Sequence, residues 1–435
     1  MTWKRIQLGL IHVAVAMTLV PINSTLNRIM IKELALSATL VAVLASLPYL
    51  FSPIQVAIGS FSDRHPLFGW RRTPYIVIGL LLCVLGVVVS PHIAFLLAEN
   101  LWIGMLVGVA AFGAWGMGYN FATVSYFSMA TELSGEKGRS RTIALMFFMM
   151  IVSIIVTSRV LGNMLEIYTP ETLINAFRLV GGVALVIGMV GIFGLEQRKK
   201  EPPIDDKESY TWGQLVKVIT KNKQATMFFW YLILLLVAFH GQDILLEPYG
   251  AEAFGLSVQD TSYITSIWGT PFMLSLLVGG VLENRVSKLI QARIGAWTGI
   301  IAFGLIVLSS VAGSLVVFYV GIVLLGLATG LSTVSNLSLM LDMTMAGNVG
   351  LFIGAWGMAS AVSRLGGNMV SGIVRDTMTK LAGNAVIGYS VVFVLEIVFL
   401  LLSLIILRRI DVSLFLHQAE RQLPLVERAA LANEV

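Results

Sequence analysis

The chain contains twelve apolar stretches of about 20 residues, each long enough to cross the hydrocarbon core of a bilayer. They cover residues 6–30, 38–60, 74–91, 101–130, 142–165 and 174–195, then 226–247, 259–282, 294–312, 315–343, 349–374 and 385–407. Only 12% of the 435 residues are charged, too few to cover a soluble surface of this size, and the mean hydropathy is +0.86. This pattern predicts an all-α polytopic membrane protein and excludes a soluble enzyme.

Basic residues are distributed unevenly between the two ends of these stretches. With both termini placed in the cytoplasm, 22 of the 29 Lys and Arg lie on the cytoplasmic side, and five lie at or beyond the outer edge. Basic residues concentrate in cytoplasmic loops, so we predict that both termini are cytoplasmic. This topology accounts for the basic balance, and no nucleic-acid partner is expected.

One long polar segment, residues 196–225, divides the stretches into six and six. We therefore predict an N-terminal bundle over 1–195, a cytoplasmic linker over 196–225, a C-terminal bundle over 226–407 and a cytoplasmic tail over 408–435. Trp212, Leu215 and Ile219 recur in the linker at helical spacing near Lys217 and Lys221, which favours a short helix on the anionic membrane surface. A tether and a partner-binding segment are both compatible with it.

The two sets of six share an internal repeat. The matching pieces are Thr123-Val124-Ser125 with Thr333-Val334-Ser335, Ser158-Arg159 before Gly162-Asn163-Met164 with Ser363-Arg364 before Gly367-Asn368-Met369, Gly59 and Asp63-Arg64 with Gly280 and Asn284-Arg285, and Leu36-Ser37 with Leu256-Ser257. The last match places Asn23 and Asn27 opposite Asp243 and Glu247. Four matches in the same order predict a six-plus-six duplication, which is common among transporter folds.

A set of polar residues occupies the outer halves of four predicted helices, the first, fifth, seventh and eleventh. These residues are Asn23, Asn27, Arg28, Arg159, Asn163, His240, Asp243, Glu247, Arg364 and Asn368. A charge at the bilayer centre costs about 2.5 to 3.5 kcal/mol, so we expect these groups to face one another or water between the two halves. Arg159 and Asp243 reach similar depths and are predicted to pair. A lock that closes the outer side and a substrate or proton site both fit this set.

The loop after the second stretch carries the motif Gly59-x-x-x-Asp63-Arg64, followed by Gly69, Arg71 and Arg72. With twelve helices and a duplication, this motif resembles the major facilitator superfamily, although its spacer between Arg64 and Gly69 is longer than usual. The resemblance implies two six-helix bundles and a charge clamp on the cytoplasmic side. The candidate members of this clamp are Asp63, Arg64, Arg71, Arg72, Glu132, Arg139 and Arg141.

Four segments resemble a narrower branch, the bacteriochlorophyll-delivery family of PucC and LhaA light-harvesting assembly proteins. They are residues 20–28, the 62–74 loop, residues 130–141 and the duplicated Ser-Arg-x-x-Gly-Asn-Met. The resemblance implies an assembly factor in a bacterial inner, intracytoplasmic or thylakoid membrane that binds or delivers chlorophyll or bacteriochlorophyll. Antenna or reaction-centre subunits, and a pigment synthase, are the implied partners.

Three further residues are candidate contacts for a partner or a pigment. Glu396 lies in the middle of the last stretch, where this fold faces lipid, and a carboxylate there needs a partner. The imidazoles of His12 and His92 are candidate magnesium ligands for chlorophyll. No metal site or catalytic arrangement emerges, so we predict a protein that is not an enzyme. A proton-coupled transporter of an anionic solute is the alternative, and a transporter relic that scaffolds other membrane proteins is a third interpretation.

Overall fold

The protein is a bundle of membrane-length helices in the computed structural model, which describes the backbone of residues 2–51, 58, 61–62, 65–196, 223–282, 285–342, 349–411 and 414. Side chains are described in the same ranges except at 2, 136–137, 139–140, 341–342 and 349–356. Most of the predicted linker and most of the predicted tail lie outside these ranges. The domain boundaries and the interfacial helix therefore stay predictions.

Six helices make up the first half. They are α1 Trp3–Glu33, α2 Ala38–Leu50, α3 Thr73–Glu99, α4 Leu101–Gly135, α5 Arg141–Met164 and α6 Pro170–Ile192. The second half repeats this order. Its helices are α7, in two segments Lys223–Gly241 and Leu246–Phe254, followed by α8 Val258–Leu282, α9 Lys288–Ala312, α10 Leu315–Asp342, α11 Val349–Ala382 and α12 Ala385–Leu407.

Ten of these helices are long and apolar enough to span a membrane in the part of the chain that is described. Helical structure is required there, because a backbone without water must satisfy its own hydrogen bonds. The predicted all-α membrane fold is therefore confirmed, and the predicted starts and ends agree with the helices to within a few residues at most positions. α2 is described only to Leu50, so its predicted continuation to residue 60 lies largely outside the described residues.

Consecutive helices run in opposite directions, so the bundle has two faces. We call the face where α1 begins and α12 ends the terminal face, and the opposite one the far face. At the terminal face Gln7 Nε2 donates to the carbonyl of Phe193, 2.8 Å away. At the far face Lys32, at the end of α1, forms an ion pair with Glu252.

α1 and α7 both depart from regular α-helix at positions related by the repeat. α1 is π-helical over Pro21–Leu26 and again over Ile29–Glu33, and α7 is interrupted by turns at residues 242–245. Pro21 lacks an amide hydrogen, which removes one regular helical bond and favours the bulge. Interrupted helices at matching positions of two halves are typical of binding sites in duplicated transporters.

The two halves meet mainly through two helix pairs, α2 with α11 and α5 with α8. Glycines allow close approach in both: a Cβ on Gly372 of α11 would lie 2.9 to 3.1 Å from backbone atoms of Ala38 and Thr39. On α5, Gly162 lies against the ring of Tyr263. The expectation that α1, α5, α7 and α11 would line the boundary is incomplete, because α2 and α8 supply the opposing surfaces for α11 and α5.

Candidate functional site between the two halves

Charged groups close the boundary at the far face. Besides the pair of Lys32 and Glu252, Arg28 forms an ion pair with Glu33, and its Nη2 donates to the carbonyl of Leu256, 3.2 Å away. Arg28 is 3% exposed, and Glu33, which is 37% exposed, neutralises its charge. Arg28 was predicted in the central set, and its structural partners join α1 to the start of the second half's α8.

Asp376 of α11 caps the N-terminus of α2 across this boundary. Its carboxylate accepts hydrogen bonds from the amides of Ala38 and Thr39, at 3.1 and 2.8 Å, and from the hydroxyl of Thr39 at 2.7 Å. The first amides of a helix have no acceptor within the helix, so an acid from the other half satisfies them. Arg375 lies 2.9 Å from the same carboxylate. Sequence reasoning missed Asp376 because it lies beyond residue 374, the predicted end of the eleventh stretch, and a cap supplied by another helix was not considered.

A second cluster surrounds Glu247, deeper in the boundary. One carboxylate oxygen accepts hydrogen bonds from Ser24 of α1 and from Thr265 of α8, the latter at 2.8 Å. The hydroxyls of Thr25 and Ser262 are 3.2 Å apart. Glu247 is 4% exposed, and its other oxygen has no hydrogen-bond partner among the described residues. A buried carboxylate thus contacts both halves, through two hydroxyl groups that the predicted set did not include.

Asp243 and Arg364 form a third cluster within the second half. Nη1 of Arg364 lies 3.3 Å from Asp243 Oδ2, and His240 Nδ1 lies 3.1 Å from the same oxygen. The guanidinium carbon of Arg364 is also 5.3 Å from the ring centre of Tyr49 on α2. The predicted pairing of Asp243 with Arg159 is wrong. Arg364, which the repeat aligns with Arg159, packs beside the turn of α7 and forms the ion pair with Asp243 instead.

Arg159 makes a different contact. Its guanidinium carbon stacks 3.9 Å from the ring centre of Tyr263 on α8, and the Tyr263 hydroxyl donates to the side chain of Asn163. In the second copy of the motif, Asn368 corresponds to Asn163, and its Nδ2 lies 3.2 Å from the hydroxyl of Ser46 on α2. Both Ser-Arg-x-x-Gly-Asn-Met copies therefore contact the opposite half, but within the described ranges only the second copy includes an ion pair.

Asn23 and Asn27 stay within α1. Asn27 is buried, and its Nδ2 donates to the carbonyl of Asn23 at 2.9 Å. Its Oδ1 has no partner in the described part of the chain. Asn23 lies within the first π-helical stretch and Asn27 directly after it, and neither amide joins the described contacts of Asp243 or Glu247.

The clamp at the terminal face is described in part. Nη2 of Arg72 lies 3.1 Å from Glu132, and its Nη1 donates to Ser62 at 2.7 Å. Arg141 is exposed. Asp63 and Arg64, and the side chain of Arg139, lie outside the described residues, so their predicted roles stay predictions.

Glu196 is a member of this clamp that the sequence analysis did not select. Its carboxylate accepts hydrogen bonds from the amides of Arg71, Arg72 and Thr73, the last at 2.7 Å. Glu196 therefore caps the N-terminus of α3 from just beyond the end of α6. A negative charge is stabilising at a helix N-terminus. Its place at the first polar position after α6 is the signal that could have identified it.

Two of the three candidate partner contacts are enclosed, which corrects the prediction for Glu396. Glu396 is 2% exposed and faces Gly241 of α7 rather than lipid. Neither of its carboxylate oxygens has a hydrogen-bond partner among the described residues. His12 is also buried, with the rings of Tyr126, Phe127 and Phe147 at 5.1 to 5.4 Å.

His92 is exposed and lies on the outer surface of α3. It continues a stripe of exposed side chains, Ile78, Leu81 and Leu85, whose spacing of three to seven residues puts them on one helix face. An imidazole on this face is open to a ligand from the bilayer. Of His12 and His92, only His92 has room for a pigment.

This architecture, two six-helix halves joined through α2–α11 and α5–α8 around buried charges, defines an integral membrane protein of the major facilitator fold. A solved nucleoside transporter, NupG, superposes with a TM-score of 0.70 at 13% identity, over 94% of this chain and 98% of that one. Likeness at this identity concerns the fold alone.

The family follows from the sequence comparison. The family model described as "PUCC protein" matches residues 25–415, and the chain belongs to that family. "Protein PucC" of Rhodobacter capsulatus is 29% identical over 421 residues, covering 92% of this chain and 90% of the relative. "Bacteriochlorophyll synthase 44.5 kDa chain" of the same species is 26% identical over 387 residues, covering 86% of this chain and 88% of the relative.

Proposed function

We propose that the protein is a membrane assembly factor, without catalytic activity, for light-harvesting or reaction-centre pigment–protein complexes. Membership of the PUCC family over residues 25–415 carries this proposal. The relative named as a bacteriochlorophyll synthase chain supports a link to pigment supply. The partners we propose are antenna or reaction-centre subunits and a pigment synthase.

His92 is the residue that we propose would hold chlorophyll or bacteriochlorophyll. Neutral imidazole is a good ligand for a metal centre, and His92 is exposed on an apolar helix face. The pigment would supply light absorption and a magnesium ion for the imidazole. The protein would contribute the apolar surface of α3, which shields the ring from water.

Purification in mild detergent from pigmented membranes tests this proposal. We expect pigment absorbance and antenna subunits to co-purify with the protein, and His92→Ala to lower the pigment content severalfold. His12→Phe is the matched control, because His12 is enclosed by aromatic rings, and it should keep the pigment. Protein free of both pigment and antenna subunits would refute the assembly role.

Glu247 favours a second candidate, a proton-coupled transporter of an anionic solute. Its carboxylate contacts Ser24 of the first half and Thr265 of the second. Proton binding there would weaken a link between the halves, which is a means of coupling protonation to their relative motion. Uptake of a labelled organic anion into proteoliposomes, driven by a proton gradient and lost in Glu247→Gln, would support transport over assembly.

We also propose that the terminal face is cytoplasmic, on the distribution of basic residues. The variant Asp205→Cys places a thiol in the linker, and the native Cys83 is buried. In intact cells the new thiol should react with membrane-permeant maleimides only. Labelling by an impermeant maleimide would reverse the orientation.

A further inference from the structure

A groove of about 390 Å³ lies between α5 and α8, where the two halves meet at the surface of the bundle. Ile155, Val156 and Val160 of α5 form one wall, and Ile267 and Thr270 of α8 form the other. Val156 and Val160 are 54% and 43% exposed. We call this feature the α5–α8 groove; its lining is mainly apolar.

The groove opens away from the interior of the bundle. On α8, Ser262 and Thr265 contact Thr25 and Ser24 of α1. At 100° per residue, Ile267 lies well over a quarter turn away from both. On α5, Val156 and Val160 also lie well over a quarter turn from Ser158, whose hydroxyl donates to the carbonyl of Ser262. Ser266 forms the inner edge of the groove, which therefore opens toward the bilayer, and a bound molecule would enter it from the membrane.

Arg159 lies at the far-face end of the groove. It is five residues from the end of α5, and Tyr263 beneath it is five residues from the start of α8. At 1.5 Å per residue both lie about 7.5 Å from the helix ends, whereas Thr270 lies about 18 Å deep. The groove thus has a cationic head close to the membrane surface and an apolar channel that descends from it.

No acidic side chain forms an ion pair with Arg159 among the described residues, although the guanidinium is exposed. The repeat explains this difference from Arg364, because Asn23 occupies the position that corresponds to Asp243. An unneutralised charge in a bilayer is costly. An anion that neutralises Arg159 would therefore come from outside the described chain.

We propose that the α5–α8 groove binds an anionic phospholipid, with its phosphate on Arg159 and one acyl chain along Val156 and Ile267. Guanidinium groups bind phosphate through paired hydrogen bonds, and basic pockets between membrane helices bind anionic headgroups. A long arginine near a helix end reaches the phosphate level of the bilayer. The lipid would contact both halves, since the groove has one wall from each. This inference is independent of the proposed assembly function.

Lipid titration of the full chain, delipidated in detergent and followed by native mass spectrometry, tests the proposal. For the first bound lipid we expect phosphatidylglycerol to be preferred about fivefold over phosphatidylcholine with the same chains, the ratio typical of one basic residue at a membrane surface. Arg159→Gln should abolish the preference and Arg159→Lys should keep part of it. Arg178→Gln, which removes another exposed arginine on α6, is the matched control and should keep it fully.

A second pair of variants tests the acyl-chain site. Val156→Trp fills the groove and should weaken binding of both lipids, whereas Val186→Trp, at a 63% exposed position on α6, should not. The proposal fails if the wild type shows no preference for phosphatidylglycerol, or if Arg159→Gln retains it. It also fails if a photo-crosslinker at position 156 captures a helix of another protein in membranes instead of lipid.

Discussion

The two contacts that join the halves, α2–α11 and α5–α8, are related by the internal repeat but are built differently. In the first, Arg364 has both an aromatic partner, Tyr49, and an acid, Asp243. In the second, Arg159 has the ring of Tyr263 and no acid among the residues that the structure describes. The α2–α11 contact thus neutralises its arginine within the protein, and the α5–α8 contact leaves its arginine open to the bilayer.

The difference shows that duplication preserves a motif and not its environment. The residue at one repeat-related position, Asn23 in α1 and Asp243 in α7, decides whether the arginine has an internal counter-charge. The α2–α11 contact also carries the cap from Asp376 and the backbone approach at Gly372. We therefore expect it to be the stronger of the two contacts, and the following variants test that ranking.

The largest effect is expected for Arg364→Leu, which leaves Asp243 without its arginine. Removing one partner of a fully buried pair costs about 3 to 5 kcal/mol. Because Arg364 and Asp243 are 34% and 31% exposed, we expect about 2 kcal/mol, measured by thermal unfolding in detergent. The double variant with Asp243→Asn should be less destabilised than the sum of the single ones, and strict additivity would show that the two groups are not coupled.

Glycine substitutions compare the close approaches directly. Gly372→Ala should destabilise the protein by about 1.5 kcal/mol, since backbone atoms of Ala38 and Thr39 would have to move. At Gly162 the added Cβ would lie closest to side-chain atoms of Tyr263, with the carbonyl oxygen of Gln259 at 3.2 Å. Because a side chain shifts more readily than the backbone, Gly162→Ala should cost less. If the order of their unfolding temperatures is reversed, the α5–α8 contact is the more rigid of the two.

Loss of the cap is expected to have a smaller effect. Asp376→Ala should lower stability by about 1 kcal/mol, as is typical for the loss of a helix cap. Its control is Asp260→Ala on α8, where Ser257 of the same helix end donates to the half-buried Asp260. That change should cost a few tenths of a kcal/mol. Equal unfolding temperatures for the two variants would argue against a cap that links the halves.

The smallest effect concerns the stacking of Arg159 on Tyr263. A double-mutant cycle with Arg159→Leu and Tyr263→Leu should give a coupling of about 0.5 kcal/mol, the value for an exposed cation–π contact. A coupling as large as that of Arg364 with Asp243 would mean that the two repeat copies are energetically alike after all.

The helices could be predicted from the sequence because bilayer thickness fixes the length of each apolar run. The duplication could be predicted because four motifs recur in the same order in both halves. The pairing of the charges could not. Arg159 and Asp243 were matched by depth along their helices, but depth does not fix the direction in which a side chain points. The repeat held the missing signal, because it aligned Arg364 with Arg159 and Asp243 with the uncharged Asn23.

Glu396 illustrates the same limit within one helix. α12 is apolar on all sides, so its sequence was interpreted as facing lipid. Its buried residues nevertheless include small or polar positions spaced like one helix face, Gly388, Glu396 and Ser403. Small residues favour close packing between membrane helices, and this stripe could have placed Glu396 inside. The interruptions of α1 and α7 have a weaker sequence signal, the proline at position 21 and the glycine at position 241.

The cap from Asp376 has a consequence for how the motion of the halves could be observed. Because the amides of Ala38 and Thr39 have no acceptor within α2, their bonds to Asp376 exist only while the far face is closed. Their protons would exchange with deuterium at a rate set by the opening equilibrium. The exchange rates of these two native backbone amides would therefore report how often the halves separate, without an attached probe.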